Sequence, residues 1–254
     1  MNNELHKVAG VVDAQTFYDK GTSVVKYDTS KATVEQLKNA IAHTGYIVTD
    51  YKLLNKLNKN KMQNSNFNMS LKKWDLASAD ERRKPILEDI IKKNGQVPNM
   101  YANMINSPGV LETYLHGYNV FRTESGFTPV EQEVIFLSIS YDNSCDYCMA
   151  AHSFIADKMS KVPEEVTNAI REGRKIEDSK LQTLSAFTKE MFQTRGRPNA
   201  EAVNLFLQAG YDERQILEIV LALAVKTLSN YSNHLFGTEV DPMFEGRSWT
   251  APQK

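Results

Sequence analysis

The stretch TPVEQEVIFLSISYDNSCDYCMAAHSFIADK, residues 128–158, decides the fold that we predict for this chain. It opens with a capping box, because Thr128 stands three residues before a glutamate and a proline occupies the first helical position. The apolar residues that follow predict a helix that begins at Pro129 and carries Glu133. This helix is the element from which the rest of the interpretation is built.

The second half of the stretch carries the two cysteines of the protein, in the order Cys-Asp-Tyr-Cys, with a histidine four residues later. Asn143 and Ser144 are typical N-cap residues, so we predict a helix with Cys145 in its first turn. Cys145, Cys148 and His152 then stand at i, i+3 and i+7 and project from one helix face. The pattern predicts a dithiol with an acid–base group beside it.

The residue types favour redox chemistry but leave its assignment open. The helix N-terminus stabilises a thiolate and by itself favours Cys145 as the reactive sulfur. Alternatively, His152 accepts the proton of Cys148, and Glu133 orients the imidazole. Two thiols within reach permit a cycle in which one becomes a sulfenic acid and the other resolves it as a disulfide. A zinc site built from the same four side chains and an inert buried cysteine pair are the alternatives.

Composition excludes several classes of function. The 254-residue chain has a net charge of −1 with both signs interspersed, so we expect no nucleic-acid partner. The longest apolar run, residues 219–225, is far shorter than the ~20 residues of a membrane span, and the polar N-terminus is unlike a signal peptide. Two cysteines are too few for a disulfide scaffold, so we expect a cytoplasmic protein without a membrane partner.

Residues 1–54 have a character of their own. Val11–Phe17 and Thr22–Tyr27 are predicted strands around a tight turn, and a capping box at Thr33 opens a helix. A third strand is predicted at residues 46–48. The phrases VVKYDTSKATVEQLKNAI and HTGYIV resemble a heavy-metal-associated domain with a ferredoxin-like α/β fold.

That family binds metal through a Cys-x-x-Cys loop that would lie before Leu5, and here no cysteine precedes Cys145. The resemblance therefore implies a truncated module without its metal ligands, which serves packing or contact between subunits. Residues 55–77, rich in asparagine and lysine, are predicted to form a linker.

Residues 78–254 are predicted to form a larger, all-helical domain. The first helix is expected to open with a capping box at Ser78, to be broken or restarted at Pro85 and to end at Gly95, and Ser107 precedes the next one. Further helices are predicted at residues 163–171, 178–194, 199–208 and 213–236.

The phrase EVIFLSISYDNSCDYCMAAHSF, together with KTLSNYSNHLFGTEVD near the end, resembles the alkylhydroperoxidase D / carboxymuconolactone decarboxylase superfamily, in its peroxidase-related branch. The resemblance implies a mainly α, AhpD-like helical bundle that forms a homo-oligomer. It also implies that Cys148 is the peroxidatic thiol, Cys145 its resolving partner, and Glu133 with His152 the proton relay. We follow this assignment, since His152 stands one turn from Cys148.

By that resemblance the protein is a thiol-dependent peroxidase that reduces a hydroperoxide and is recycled by an external dithiol reductant. No haem, flavin or nicotinamide motif is present, so we expect no cofactor and no metal. The chain has Tyr147 where alkylhydroperoxidase D itself has a histidine, which leaves the reductant open. The true decarboxylases lack the cysteine pair, which disfavours lactone decarboxylation. A non-catalytic redox-sensing or metal-binding protein is the alternative.

Two further histidines are candidates for a role. His234, at the end of the last helix, either reaches the dithiol or a neighbouring subunit, or forms a structural hydrogen bond, and we favour the structural role. His116 is expected to be a packed or surface residue.

Overall fold

The computed structural model describes residues 1–52 and 67–252. The chain divides into two compact units, Met1–Ser65 and Asn66–Lys254. Among the described residues, none of the helices is both long enough and apolar enough to cross a membrane.

The first unit is a two-stranded antiparallel sheet with two helices. Its elements are α1 (Asn2–His6), β1 (Val11–Phe17), a 3₁₀ turn (Tyr18–Lys20), β2 (Thr22–Tyr27) and α2 (Val34–Ala42). The capping box at Thr33 is formed, with the side chain accepting from the Gln36 amide. Leu5, Ala14 and Leu37 form a small buried core. Both predicted strands and the helix are therefore confirmed.

The predicted third strand is wrong. Residues 46–48 carry no strand hydrogen bonds, and β1 pairs only with β2 in the described part of the unit. Ile47 is 87% exposed and Tyr46 53% exposed, so neither packs on the sheet. An extended segment needs a neighbouring strand to satisfy its backbone groups, and none is offered here. The ferredoxin-like arrangement and the heavy-metal-associated resemblance are not confirmed.

The second unit is helical throughout its described residues. Its elements are α3 (Lys84–Asn94), α4 (Asn99–Met104), α5 (Pro108–Glu124), α6 (Pro129–Asp142), α7 (Asp146–Ile155), a π-helical turn (Ala156–Ser160), α8 (Glu164–Arg171), α9 (Ser179–Gln193), α10 (Ala200–Gln208), α11 (Glu213–Phe236) and a 3₁₀ segment (Pro242–Arg247). The all-helical prediction for this region is confirmed.

Helix α6 lies at the centre of this unit. Every residue from Glu131 to Ser140 is buried, polar and apolar alike. A helix that is buried on all sides must be surrounded by other elements, and α6 contacts α7, α8, α9 and α11. Glu133 is therefore carried into the interior by the same apolar sequence that makes the core.

Two features at the start of the helical unit differ from expectation. The capping box predicted at Ser78 does not open a helix, because the Asp80 side chain accepts from the Arg83 amide and closes a separate turn. The helix begins at Lys84 with Pro85 in its first turn and ends before Gly95, so the predicted restart at Pro85 is confirmed. The linker predicted at residues 55–77 lies outside the described residues up to position 66. Within its described part, the Trp74 indole donates to Asn106 Oδ1 at 2.9 Å.

Candidate functional site

The site is built on the corner between α6 and α7. Ser144 has a φ of 56°, in the left-handed region, so the chain turns sharply between the two helices. The Asn143 amide side chain donates to Asn230 Oδ1 on α11 at 2.9 Å and fixes the corner. Cys145 is the N-cap of α7, one position earlier than the predicted first turn, because Ser144 takes the turn conformation. Cys148 lies within the first turn.

Both sulfurs are reduced and buried. Cys145 is 1% exposed and Cys148 2% exposed. The Asn233 side chain on α11 places its Nδ2 3.3 Å from Cys148 Sγ and 4.0 Å from Cys145 Sγ. A third sulfur, Met100 Sδ, lies 3.3 Å from the same nitrogen. The Asn233 side-chain amide therefore contacts all three sulfur atoms.

The predicted carboxylate–imidazole pair is formed. His152 Nδ1 lies 2.9 Å from Glu133 Oε2. The other carboxylate oxygen accepts a hydrogen bond from the Arg122 guanidinium, which also donates to the Tyr118 hydroxyl at 2.7 Å. Glu133 is fully buried, so its charge is stabilised by these partners rather than by water. The structure thus brings together the four residues that the sequence indicated.

The two thiols differ in acidity. Burial acts to raise the pKa of Cys148, but a hydrogen bond from the Cys145 thiol and the positive charge of Lys226 outweigh it, and the pKa falls well below the ordinary value. The pKa of Cys145 is raised well above its ordinary value, by burial and by donation to Cys148. The helix N-terminus alone favours Cys145. The local hydrogen bond and charge place the anion on Cys148 instead.

The surroundings of His152 and Glu133 set their protonation states. Burial, followed by the charge of Lys226, lowers the pKa of His152, with Glu133 acting in the opposite direction. The imidazole is therefore neutral near pH 7 and able to accept a proton. Although burial works against it, the pKa of Glu133 is lowered by His152 and Arg122, so the carboxylate is ionised.

Sequence reasoning missed the contribution of α11. Lys226 and Asn233 lie two helical turns apart on its buried face, far along the chain from the cysteines. The sequence did contain a signal for this contribution. The apolar face that begins with Ile219 and Ala222 continues at helical spacing with polar residues, namely Lys226, Ser229 and Asn233. Arg122 on α5 was missed as well.

The remaining predicted features are placed as follows. No group of three or more His, Cys, Asp or Glu side chains in the described ranges is arranged to hold a metal ion. His116 is exposed on α5. His234 is exposed and lines a surface depression of about 410 Å³, together with Phe67, Asn143, Ser144 and Leu235. Since Ser144 adjoins Cys145, this depression is next to the buried dithiol.

Solved structures identify the fold. An uncharacterized peroxidase-related protein from Ralstonia eutropha JMP134, described as an alkylhydroperoxidase AhpD core, superposes with a TM-score of 0.59 at 20% identity, over 70% of this chain and 95% of its own. A peroxidase-related protein from Silicibacter sp. TM1040 gives 0.58 at 19% identity, over 71% and 97%. The debrominase Bmp8, in complex with 2,3,4-tribromopyrrole, gives 0.59 at 15% identity, over 71% and 96%.

These similarities show that the chain has a mainly helical, AhpD-like fold. The fold carries more than one activity, since a debrominase shares it. No sequence-family model matches the chain, and no curated protein sequence does.

Proposed function

We propose that this protein is a thiol-dependent peroxidase, in which Cys148 attacks a hydroperoxide and Cys145 resolves the product as a disulfide. The observation that carries the proposal is the buried dithiol beside the His152–Glu133 pair, with Asn233 Nδ2 3.3 Å from Cys148 Sγ. The lowered pKa of Cys148 and the raised pKa of Cys145 agree with a thiolate on the first and a retained proton on the second. A nucleophile needs the first state, and a proton-donating resolving partner needs the second.

The proposed cycle balances in three steps. The Cys148 thiolate attacks the terminal peroxide oxygen, the O–O bond breaks, and the leaving alkoxide takes a proton to become an alcohol. Cys148 is then a sulfenic acid. The Cys145 sulfur attacks it, water leaves, and the disulfide closes. An external dithiol supplies two electrons and two protons; one proton restores the Cys145 thiol, the other passes to solvent, and Cys148 returns to the thiolate.

His152 and Glu133 act on protons in this cycle. Because Cys148 is already a thiolate, the imidazole transfers a proton from solvent to the leaving oxygen, while Glu133 holds Nδ1 and fixes the orientation of the ring. Cys145 loses its own proton as it attacks, and this proton joins the departing hydroxide to form water.

The burial of the two sulfurs limits the size of the oxidant that can reach them. Because Cys145 and Cys148 are almost completely buried, a small hydroperoxide has to enter by a local opening. The depression lined by Ser144 and His234 is the proposed entry, since Ser144 directly precedes Cys145 in the chain. The same surface is where a reductant would contact the disulfide.

Self-association is part of the proposal. The outer face of α11 exposes Leu217, Val220, Ala224, Thr227, Tyr231 and Leu235. Their spacing of three and four residues is that of a coiled-coil seam, and the stripe carries no charge. Small residues at its centre permit a close crossing of two identical helices, so we propose a second copy of this chain as the occupant.

Sedimentation of the full chain tests whether the apolar stripe on α11 is a contact between two copies of the chain. We expect the wild type to sediment as an oligomer and the Leu217→Glu/Tyr231→Glu variant as a monomer. Val12→Glu places a charge at an equally exposed apolar position, 64% exposed, in the other unit and should change nothing. A monomeric wild type would remove the proposed interface.

Mass spectrometry of peroxide-treated protein tests the redox function. We expect wild-type protein to lose two hydrogen atoms as the Cys145–Cys148 disulfide forms. Cys145→Ser should trap a sulfenic acid on Cys148, and Cys148→Ser should not consume peroxide. Catalytic turnover with a dithiol distinguishes an enzyme from a redox sensor that oxidises once. A fully active Cys148→Ser variant would contradict the proposal.

Reductive debromination is a second candidate, favoured by the structural similarity to the debrominase Bmp8. The same dithiol can perform it: the Cys148 thiolate takes bromine from a brominated ring, the ring carbon takes a proton, and Cys145 then displaces bromide as the disulfide closes. Release of bromide from 2,3,4-tribromopyrrole, measured beside peroxide consumption, separates the two activities.

A further inference from the structure

Lys226 is a buried cation without a hydrogen bond of ordinary geometry. Its side chain is 1% exposed, and among the described groups its Nζ makes no hydrogen bond of ordinary geometry; a weaker interaction with the Cys148 thiol contributes to the lowered pKa of that cysteine. It lies over the Phe136 ring, 5.6 Å from the centroid. A lysine ammonium is almost never fully buried unless an anion compensates its charge. The position of Lys226 therefore calls for a negative group nearby.

The anion that compensates Lys226 is found by elimination. Glu133, the buried carboxylate of the site, already binds Arg122 and His152. The other buried carboxylates are occupied as well, since Glu131 pairs with Lys180 and Asp241 accepts from the Tyr147 hydroxyl and the Asn99 amide. The charge of Lys226 acts on both thiols, and Cys148 is the one whose pKa falls. Arg122 is then balanced by Glu133, and Lys226 by the Cys148 thiolate.

We propose that Lys226 is the counter-ion of the Cys148 thiolate and that it thereby favours the dithiol over the Cys145–Cys148 disulfide. The inference deepens the proposed function, from which it takes Cys148 as the reacting sulfur. Reduction of the disulfide takes up two electrons and one proton to give the Cys148 thiolate and the Cys145 thiol. Only the reduced state offers Lys226 a negative partner, so its charge shifts the equilibrium toward reduction.

The other groups around Cys148 do not substitute for Lys226. The titratable side chains that interact with it are Cys145, Tyr147 and His152 on α7, Tyr114 and Tyr118 on α5, Tyr101 on α4 and Lys226 on α11. Glu133 on α6 and Arg122 on α5 act on His152. Burial raises the pKa of all four tyrosines, so they are neutral. His152 is neutral and Arg122 is bound to Glu133, which leaves Lys226 as the uncompensated charge.

Two readouts that need no peroxide test the inference. The first is the pH dependence of Cys148 alkylation by iodoacetamide, with the modified cysteine identified by mass spectrometry. The second is the thiol–disulfide equilibrium of the full chain in glutathione buffers. Lys226→Met removes the charge at similar volume, Lys226→Gln keeps a polar group, and Lys226→Arg retains the charge as the matched control.

We expect Lys226→Met and Lys226→Gln to raise the midpoint of Cys148 alkylation by at least one pH unit and to shift the glutathione equilibrium at least tenfold toward the disulfide. Lys226→Arg should restore most of both values. Neutral variants within twofold of wild type in both readouts would overturn the inference. If both readouts shift while no variant or wild type turns over peroxide, the counter-ion stands and the proposed peroxidase function fails.

Discussion

Replacing Glu133 with glutamine is the most informative single perturbation of this molecule. Glu133 is fully buried and accepts hydrogen bonds from Arg122 and His152, while the Arg122 side chain is 16% exposed. The variant leaves a guanidinium in the interior without its anion. Removing one partner of a buried ion pair costs about 3–5 kcal/mol. For a helical unit of this size, that loss lowers the melting temperature by about 6–20 °C.

Tryptophan fluorescence of the full chain measures this loss selectively. The two tryptophans, Trp74 and Trp249, both belong to the helical unit, so the signal is free of contributions from the first unit. Arg122→Met and the Glu133→Gln/Arg122→Met double variant complete a mutant cycle. We expect the double variant to be more stable than the sum of the single losses predicts, because neither charge is then left alone.

The stability difference between wild type and Glu133→Gln should also depend on pH, in a direction that the pKa of Glu133 determines. The pKa of Glu133 is lowered in the folded state, so its contribution is fully present above the ordinary carboxyl value and is lost as the pH falls through the folded value. The difference between wild type and Glu133→Gln should therefore shrink in acid. A Glu133→Gln protein that melts within about 2 °C of wild type at pH 7 would refute the buried ion-pair reasoning.

Three further outcomes are expected. Cys145→Ala should raise the pKa of Cys148, read as an upward shift of its alkylation midpoint, while Cys145→Ser keeps a hydroxyl donor and shifts it less. Asn233→Leu should also raise that midpoint, since it removes the amide 3.3 Å from Cys148 Sγ; an unchanged midpoint contradicts it. Ser138→Ala should cost about 1–3 kcal/mol in urea unfolding by leaving the Ser185 hydroxyl unpaired, and the double alanine variant should recover part of that loss.

Local chemistry made much of the fold predictable. The capping boxes at Thr33 and Thr128 fixed the starts of α2 and α6, and Asp212 caps α11 in the same way. A capping box spans only four residues and its hydrogen bonds form within them, so it depends little on tertiary packing. The spacing of Cys145, Cys148 and His152 placed them together for the same reason.

Features that depend on distant partners were not predictable. A strand at residues 46–48 required a neighbour that the described sheet does not provide. Ser78 has the sequence of a cap, but the Asp80–Arg83 turn delays the helix. Lys226 and Asn233 join the dithiol only because α11 packs across α7, and no sequence pattern specifies which face of one helix meets another.

The position of Cys145 at the helix boundary gives the two sulfurs unequal mechanical freedom. Its φ and ψ, −97° and 97°, lie outside the helical region, whereas Cys148 lies within the helix. Torsion about the boundary residue can carry its sulfur toward Cys148 while the backbone of α7 stays in place. In the proposed cycle, disulfide formation would be accommodated at the connection through Ser144, and the imidazole of His152 would keep its position in α7. The scaffold for proton transfer would be common to both oxidation states, and repeated cycling would not require the helix to unwind.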